Sequence, residues 1–280
     1  MADIIGTNRT YRDRLFKFIF GNPDNKEWTL SLYNAVNGSS YTNPDDIKLT
    51  TLENAVYMSM KNDVSFLIAD TMNFYEQQST VNPNMPMRFL VYAGMVYSKF
   101  VEEDKSYHRY SSKQQKAPTP KCICFYNGVS EQKDKVILKL SDSFSGESDI
   151  DVKVTMLNIN YGHNKELLDM CKPLNDYAWF VDRVRLYQKN ESSLEAAIDR
   201  TLNELSDESL IKPFLLANKA EVKYMCITEY DEDRTLAEFR EENREELLVE
   251  LVKKGLLTVK DAAESANMTV SMFEKILASN

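Results

Sequence analysis

Two carboxylates stand in neighbouring stretches of the chain that have β-type sequences. Asp63 opens the apolar run DVSFLI, and Glu76 lies near the end of the following run, MNFYEQQ. Successive side chains of a strand point to opposite faces, so Glu76 and Gln78 share one face. The short turn between the runs predicts a hairpin, which would bring Asp63 and Glu76 within reach of one cation.

A pair of carboxylates in this arrangement suits a hard divalent cation. Mg²⁺ or Mn²⁺ takes oxygen ligands, commonly one or two carboxylates together with water and substrate phosphate. Such a cation lowers the pKa of a bound water and stabilises the charge that develops during in-line displacement at phosphorus. The residues alone fit an ordinary surface hairpin equally, because acids at strand starts and polar pairs near strand ends are common surface features.

The rest of the sequence gives no support to most other kinds of catalytic site. The chain has eight glycines but neither a GxGxxG motif nor a Walker loop, so a nucleotide cofactor is not expected. Its two histidines accompany no nucleophile elbow, which leaves a hydrolase triad without support. The four cysteines lack zinc-site spacing, and we interpret them as small buried thiols of a reducing compartment.

Length and composition predict a globular protein. The 280 residues are 43% hydrophobic and 28% charged. No stretch approaches the roughly 20 apolar residues of a membrane span, and the N-terminus lacks a secretory signal, so we expect a cytoplasmic protein without membrane contact. The net charge of −9 predicts weak non-specific binding to DNA and a need for divalent cations to bridge acid to phosphate.

Apolar periodicity predicts an α/β fold whose sheet is flanked by helices. We expect a mixed domain over residues 1–228 and a tail over residues 229–280. Helices are predicted over 11–20, 26–36 and 87–100, and mostly helical chain from 165 onward, with breaks near 173, 206–209 and 213. Strands are predicted over 47–52, 56–60, 63–68, 72–78, 121–125, 135–140 and 151–159.

The tail combines a charged stretch with two short predicted helices. Residues 229–250 are rich in charge, and the segment that follows has a helix-capping Thr258 and a turn at 267–269. The pattern fits a helix-turn-helix, but a plain helical hairpin that packs on the domain or a partner fits it too. The second helix has one lysine and no arginine, which is poor equipment for reading DNA.

Several short stretches, in order between residues 12 and 164, resemble the Rpn family of recombination-promoting nucleases and transposases, a branch of the PD-(D/E)XK nucleases. They are RDRLFKFIFG (12–21), LYNAVNG (32–38), NDVSFLI (62–68), YEQQST (75–80), NPNMPMR (82–88), FYNG (125–128), LKLSDSF (138–144) and LNINYGHN (157–164). Singly these stretches are unremarkable, but the ordered set is specific.

The resemblance implies a PD-(D/E)XK restriction-endonuclease-like core, built as helix, three-stranded meander, helix and strand, with a helical C-terminal extension. It implies Asp63 and Glu76 as metal-binding acids and the main-chain carbonyl of Gln77 as a further ligand. Gln78 occupies the catalytic position where most members of the superfamily have lysine. A glutamine can orient the attacking water but carries no charge.

Four further residues are weaker candidates. By analogy with the superfamily, Asp13 is an accessory metal ligand, although Asp13 and Lys17 lie four apart on a predicted helix and also suit an ordinary ion pair. Lys61 is a candidate for a relocated lysine. Arg88 begins the helix after the second acid, where it could hold either a DNA phosphate or a neighbouring acid. Lys17, Lys61 and Arg88 are the candidate DNA contacts.

The resemblance therefore implies a Mg²⁺- or Mn²⁺-dependent endodeoxyribonuclease that hydrolyses DNA in recombination, transposition, mobile-element or defence processes. Double-strand cleavage needs two sites, so a homodimer is plausible, with the C-terminal helices as its best contact. The alternative is a catalytically inactive nuclease-like scaffold that binds protein or DNA. The two hypotheses differ at the acids: carboxylates that meet in a groove favour the enzyme, and one buried against an arginine favours the scaffold.

Overall fold

The computed structural model describes residues 14–50, 64–103, 107, 110–189, 193–226, 248–249, 251–255, 257–266 and 268–279. The chain divides into two compact units, Met1–Ile227 and Thr228–Asn280. Within the described ranges, no helix combines the length and apolar character needed to cross a bilayer.

A six-stranded mixed sheet forms the centre of the first unit, with the strand order β1-β2-β3-β4-β6-β5. Strands β1 to β3 form an antiparallel meander, β4 and β6 run parallel to β3, and β5 is antiparallel to β6. The strands are β1 Lys48–Leu49, β2 Val64–Ile68, β3 Thr71–Gln78, β4 Thr119–Tyr126, β5 Lys135–Lys139 and β6 Lys153–Asn158.

Helices cover both faces of this sheet. They are α1 Arg14–Phe20, α2 Lys26–Asn37, α3 Met85–Glu103, α4 Lys165–Met170, α5 Lys172–Gln188, α6 Leu194–Glu204 and α7 Lys212–Ala217, and the backbone is also helical over 219–226. Short 3-10 turns occupy Pro23–Asn25, Pro44–Asp46 and Leu140–Ser143. The α/β architecture with a mixed sheet between helices, predicted from apolar periodicity, is confirmed.

The two faces of the sheet carry separate apolar clusters because strand residues alternate. Met72 and Phe74 of β3 pack with α3, in a cluster that includes Phe89, Tyr92 and Val96. Tyr75 belongs to the larger cluster on the opposite face, which contains buried residues of α1, α2 and α5. The side chain of Glu76, one position after Tyr75, therefore lies on the α3 face.

Local sequence explains where the site-bearing elements begin and end. Four apolar residues of α1 are buried, namely Leu15, Phe16, Ile19 and Phe20. The predicted hairpin is confirmed, since β2 and β3 pair antiparallel around a turn at Ala69 and Asp70. Helix α3 extends beyond the predicted 87–100 at both ends.

Three strand predictions were too long, and one lies outside the described residues. The structure describes residues 47–50 of the strand predicted over 47–52, and of these only Lys48 and Leu49 are in a strand; the strand predicted over 56–60 is not described. Strand β5 ends before Leu140 because a Ser-Asp-Ser turn follows it. Strand β6 begins only at Lys153, and before it the Asp151 carboxylate accepts a hydrogen bond from Ser141 N.

The described part of the tail unit has helical backbone over 248–249 and 251–253, followed by two short helices, Val259–Ser265 and Val270–Ser279. The predicted cap is confirmed, since the Thr258 side chain accepts a hydrogen bond from Asp261 N. Gly255 adopts φ +69, in the left-handed region that glycine occupies without strain. Phe273 is fully buried in a small cluster with Leu248, Val249, Ala262 and Ala263.

Candidate functional site

Glu76 is a carboxylate at the centre of the sheet. Strand β3 lies between β2 and β4, and the parallel ladder pairs Glu76 with Cys124. The residue is 0% exposed, and every residue of β3 after Thr71 is buried. An ionised carboxylate in such a place needs a partner, because burial away from water disfavours its charge.

Arg88 supplies a partner from the first turns of α3. Its Nη2 lies 3.2 Å from Oε2 of Glu76 and donates a longer hydrogen bond of 3.4 Å to Oε1. Arg88 also donates from Nη2 and Nε to the hydroxyl oxygen of Tyr92, at 2.9 and 3.3 Å. Because Arg88 and Tyr92 are four residues apart on one helix, they share a face. Helix packing thus holds both against the sheet.

The electrostatics of Glu76 are set by competition between burial and this partner. Burial raises the pKa of Glu76 to about 7, even though the Arg88 charge and a hydrogen bond with Tyr92 act to lower it. Although Oε2 is at ion-pair distance from Arg88, it makes no hydrogen bond with any described residue. The contact between Arg88 Nη2 and Glu76 Oε2 is therefore a Coulomb attraction that lacks hydrogen-bond geometry. Oε2 is therefore a buried oxygen that accepts no hydrogen bond from the described residues, although the Arg88 charge lies close to it.

Gln78 and Gln77 end the same strand on opposite faces. Gln78 shares the α3 face with Glu76 and is 9% exposed, whereas Gln77 is buried on the other face. The main-chain oxygen of Gln78 accepts a 2.9 Å hydrogen bond from Asn127 N. The prediction that Glu76 and Gln78 share a face fits this strand assignment.

The other predicted site residues are only partly described. Asp63, Lys61 and Asp13 lie outside the described residues. Asp63 is the residue before Val64, which pairs with Tyr75. Lys17 is half-buried on α1 and lines an open cavity of about 430 Å³ that does not include Glu76 or Arg88.

Tyr92 has a polar role that was not predicted from the sequence. Its ring does pack in the α3 cluster, but its hydroxyl accepts from Arg88 and hydrogen-bonds Glu76. Burial raises the pKa of Tyr92, and the Glu76 charge raises it further. The available signal was the spacing of four between Arg88 and Tyr92 at the start of a predicted helix.

Glu76 is the acid of the predicted cation site that the structure describes. No group of three or more His, Cys, Asp or Glu residues clusters within the ranges that the structure describes. Mg²⁺ nevertheless needs only one or two protein carboxylates, because water and phosphate complete its shell. The unbonded Oε2 of Glu76 fits such an ion once Arg88 leaves, since guanidinium and cation compete for the same oxygen.

No protein-family model, curated protein or solved structure matches this chain.

Proposed function

We propose that this protein is a Mg²⁺-dependent endodeoxyribonuclease with a PD-(D/E)XK core. The observation that carries the proposal is Glu76, a carboxylate buried in the third strand of an antiparallel meander with one oxygen free of hydrogen bonds. The surrounding order of helix, meander, helix and parallel strand is the one that the sequence resemblance implies. DNA as the substrate is what the sequence resemblance implies.

Each residue of the site has a separate role in this proposal. Glu76 and Asp63 hold a divalent cation, with the carbonyl of Gln77 as a further ligand. The bound cation would supply charge neutralisation at the scissile phosphate. Gln78 orients the attacking water through its side-chain amide, on the same face as Glu76. Asp63, next to the partner of Tyr75, would come opposite Glu76 if the β2–β3 ladder extended by one pair.

Arg88 has two successive partners in this proposal. In the absence of a cation its guanidinium neutralises Glu76, at 3.2 Å. Tyr92 holds the guanidinium at the same place through its hydroxyl oxygen. If a cation neutralised the carboxylate instead, the Arg88 guanidinium would be able to donate to a DNA phosphate, which suits a planar donor.

The proposal also covers the biological role, the oligomeric state and the location of the protein. We infer a role in recombination, transposition or mobile-element defence from the family resemblance alone. A homodimer would provide the two sites that double-strand cleavage requires. All four cysteines are free thiols, which supports a cytoplasmic location.

Nicking of supercoiled plasmid DNA tests the activity. The wild-type protein is expected to nick in the presence of Mg²⁺ or Mn²⁺ and to stop when EDTA is added. Glu76→Gln and Asp63→Asn should each abolish nicking. Glu166→Gln, an exposed glutamate on α4, serves as a matched control and should leave nicking unchanged. Full activity in both site variants would remove the assignment.

One observation favours the alternative function, a catalytically inactive scaffold. Glu76 is buried against an arginine, which is the arrangement expected if the carboxylate serves the fold rather than a metal. Thermal unfolding separates the two, because a ligand that binds only the folded protein raises its stability. A Mg²⁺-dependent rise in melting temperature that Glu76→Gln removes supports the enzyme, and no rise in either protein supports the scaffold.

A further inference from the structure

The C-terminal ends of β3, β4 and β6 lie at one edge of the sheet, since these strands are parallel. Two asparagine-containing stretches meet there: FYNG (125–128) includes the end of β4, and LNINYGHN (157–164) includes the end of β6. Asn127 and Asn158 within them are each 1% exposed. The roles proposed above use neither stretch, although buried amides at this edge are costly unless they are held by hydrogen bonds.

Arg185 of α5 holds the first of these asparagines. Its Nη1 donates to Oδ1 of Asn127 at 2.6 Å, and its Nη2 donates to the main-chain oxygen of the same residue at 2.5 Å. A further bond of 3.3 Å runs from Nη1 to Oδ1 of Asn160. One planar guanidinium thus fixes both the side chain and the backbone of Asn127, which a lysine cannot do.

Asn127 in turn contacts the end of β3. Its main-chain N–H donates to the oxygen of Gln78 at 2.9 Å. The next residue, Gly128, lies so close to β3 that a Cβ there would be 2.1 Å from the oxygen of Ser79. The end of β4 is therefore packed directly on residues 78 and 79, and its position determines theirs.

Only one of the two polar atoms of the Asn127 side-chain amide makes a hydrogen bond with the described residues. Oδ1 accepts from Arg185, while the buried Nδ2 has no hydrogen-bond partner in the part of the chain that the structure describes. A buried donor without a partner costs stability.

We propose that Arg185 is a positioning residue that acts through Asn127 to fix Gln78. This inference rests on the proposed nuclease function, in which Gln78 orients the attacking water. Arg185 itself contacts Asn127 and Asn160 rather than the reacting groups. Loss of its two bonds to Asn127 should loosen the end of β3 and misplace the Gln78 amide.

The test is a double-mutant cycle on Mg²⁺-dependent nicking. Arg185→Lys should lower kcat about tenfold or more, because displacements on the order of 1 Å near the reacting atoms are that costly. The KM for DNA should not change. In a Gln78→Ala background the same substitution should change kcat by less than about twofold, since independent sites add and coupled sites do not. Arg183→Lys, on the same helix, is the matched control and should leave kcat unchanged.

Two outcomes of the nicking measurements would overturn the inference without contradicting the proposed nuclease function. One is an equal loss of kcat in both backgrounds, which would mean that Arg185 supports only the fold. The other is unchanged kcat in Arg185→Lys. Amide hydrogen exchange adds a readout that needs no activity: Arg185→Lys should speed exchange in the peptide that contains 125–128, and unchanged exchange would also overturn the inference. A wild-type protein that does not nick DNA is the separate result that defeats the proposed function itself.

Discussion

Replacing Arg88 with methionine should make the stability of the first unit depend on pH in a range where the wild-type contribution of Glu76 is flat. Burial raises the pKa of Glu76 from 4.5 to about 7 in the folded protein. A raised pKa means that Glu76 contributes most stability below pH 4.5 and loses that contribution as the pH rises to 7. Above pH 7 the folded and unfolded wild-type proteins both carry the charge, so the contribution no longer changes.

The variant differs above this pH. Arg88 lowers the pKa of Glu76, so in Arg88→Met the pKa rises above that of the wild type. The folded variant then keeps a proton that the unfolded chain has lost, and its free energy of unfolding falls by about 1.4 kcal/mol per pH unit. Between pH 7 and 9 the gap to the wild type should widen by up to about 3 kcal/mol, close to the cost of breaking a buried ion pair.

Urea unfolding followed by tryptophan fluorescence measures this gap. The chain has two tryptophans, and Trp28 and Trp179 both pack against the main cluster of the first unit. Arg88 makes further interactions, so its loss also costs stability that does not vary with pH. Only the pH-dependent part of the gap reports on Glu76.

Glu76→Gln in the Arg88→Met background is the control, because an amide does not titrate. It should remove the widening between pH 7 and 9. The reasoning is refuted if the wild type and Arg88→Met lose stability in parallel over this range. It is also refuted if the widening persists in the double variant, since another group would then be its source.

Three further substitutions test the packing that holds the site. Phe16→Ala should destabilise the first unit by about 3–5 kcal/mol in the same urea assay, since this buried ring packs on Phe20, Phe125 and Tyr177. Gly128→Ala should cost about 1–3 kcal/mol, because its Cβ would lie 2.1 Å from a backbone oxygen; an unchanged midpoint would contradict that close approach. Ala69→Gly should raise the free energy of unfolding by about 0.5–1 kcal/mol, because Ala69 adopts φ +47 in the hairpin turn. A fall in this free energy would show that the conformation carries no strain.

The parts of the fold that the sequence predicted are those in which neighbours along the chain settle the structure. Strand β3 and helices α1 and α3 each have apolar residues at the spacing of their own element, so their existence and buried faces could be predicted. The strand predicted over 151–159 was too long. Apolar periodicity does not show that the Asp151 side chain accepts a hydrogen bond from Ser141 N.

The contacts that define the site could not be predicted, because they join distant parts of the chain. Arg88 reaches Glu76 only when α3 packs on the sheet, and the sequence left both a phosphate and a neighbouring acid open as its partner. Arg185 and Asn127 are 58 residues apart, and no local pattern connects them. The residues that share one face of a strand could be predicted, whereas the helix side chain that contacts this face could not.

The ion pair between Arg88 and Glu76 bears on both proposed functions, because a cation and the guanidinium would neutralise the same carboxylate. If Glu76 holds a metal, Arg88→Met removes the competitor, so the variant that loses most stability at pH 9 should also gain most from Mg²⁺. The gain follows RT ln(1 + [L]/Kd), about 2.7 kcal/mol at 100-fold saturation. If Glu76 serves only the fold, Mg²⁺ restores nothing to Arg88→Met. Urea unfolding of this variant at pH 9 with 10-fold steps of Mg²⁺ therefore distinguishes a metal-binding carboxylate from a structural one without any assay of DNA cleavage.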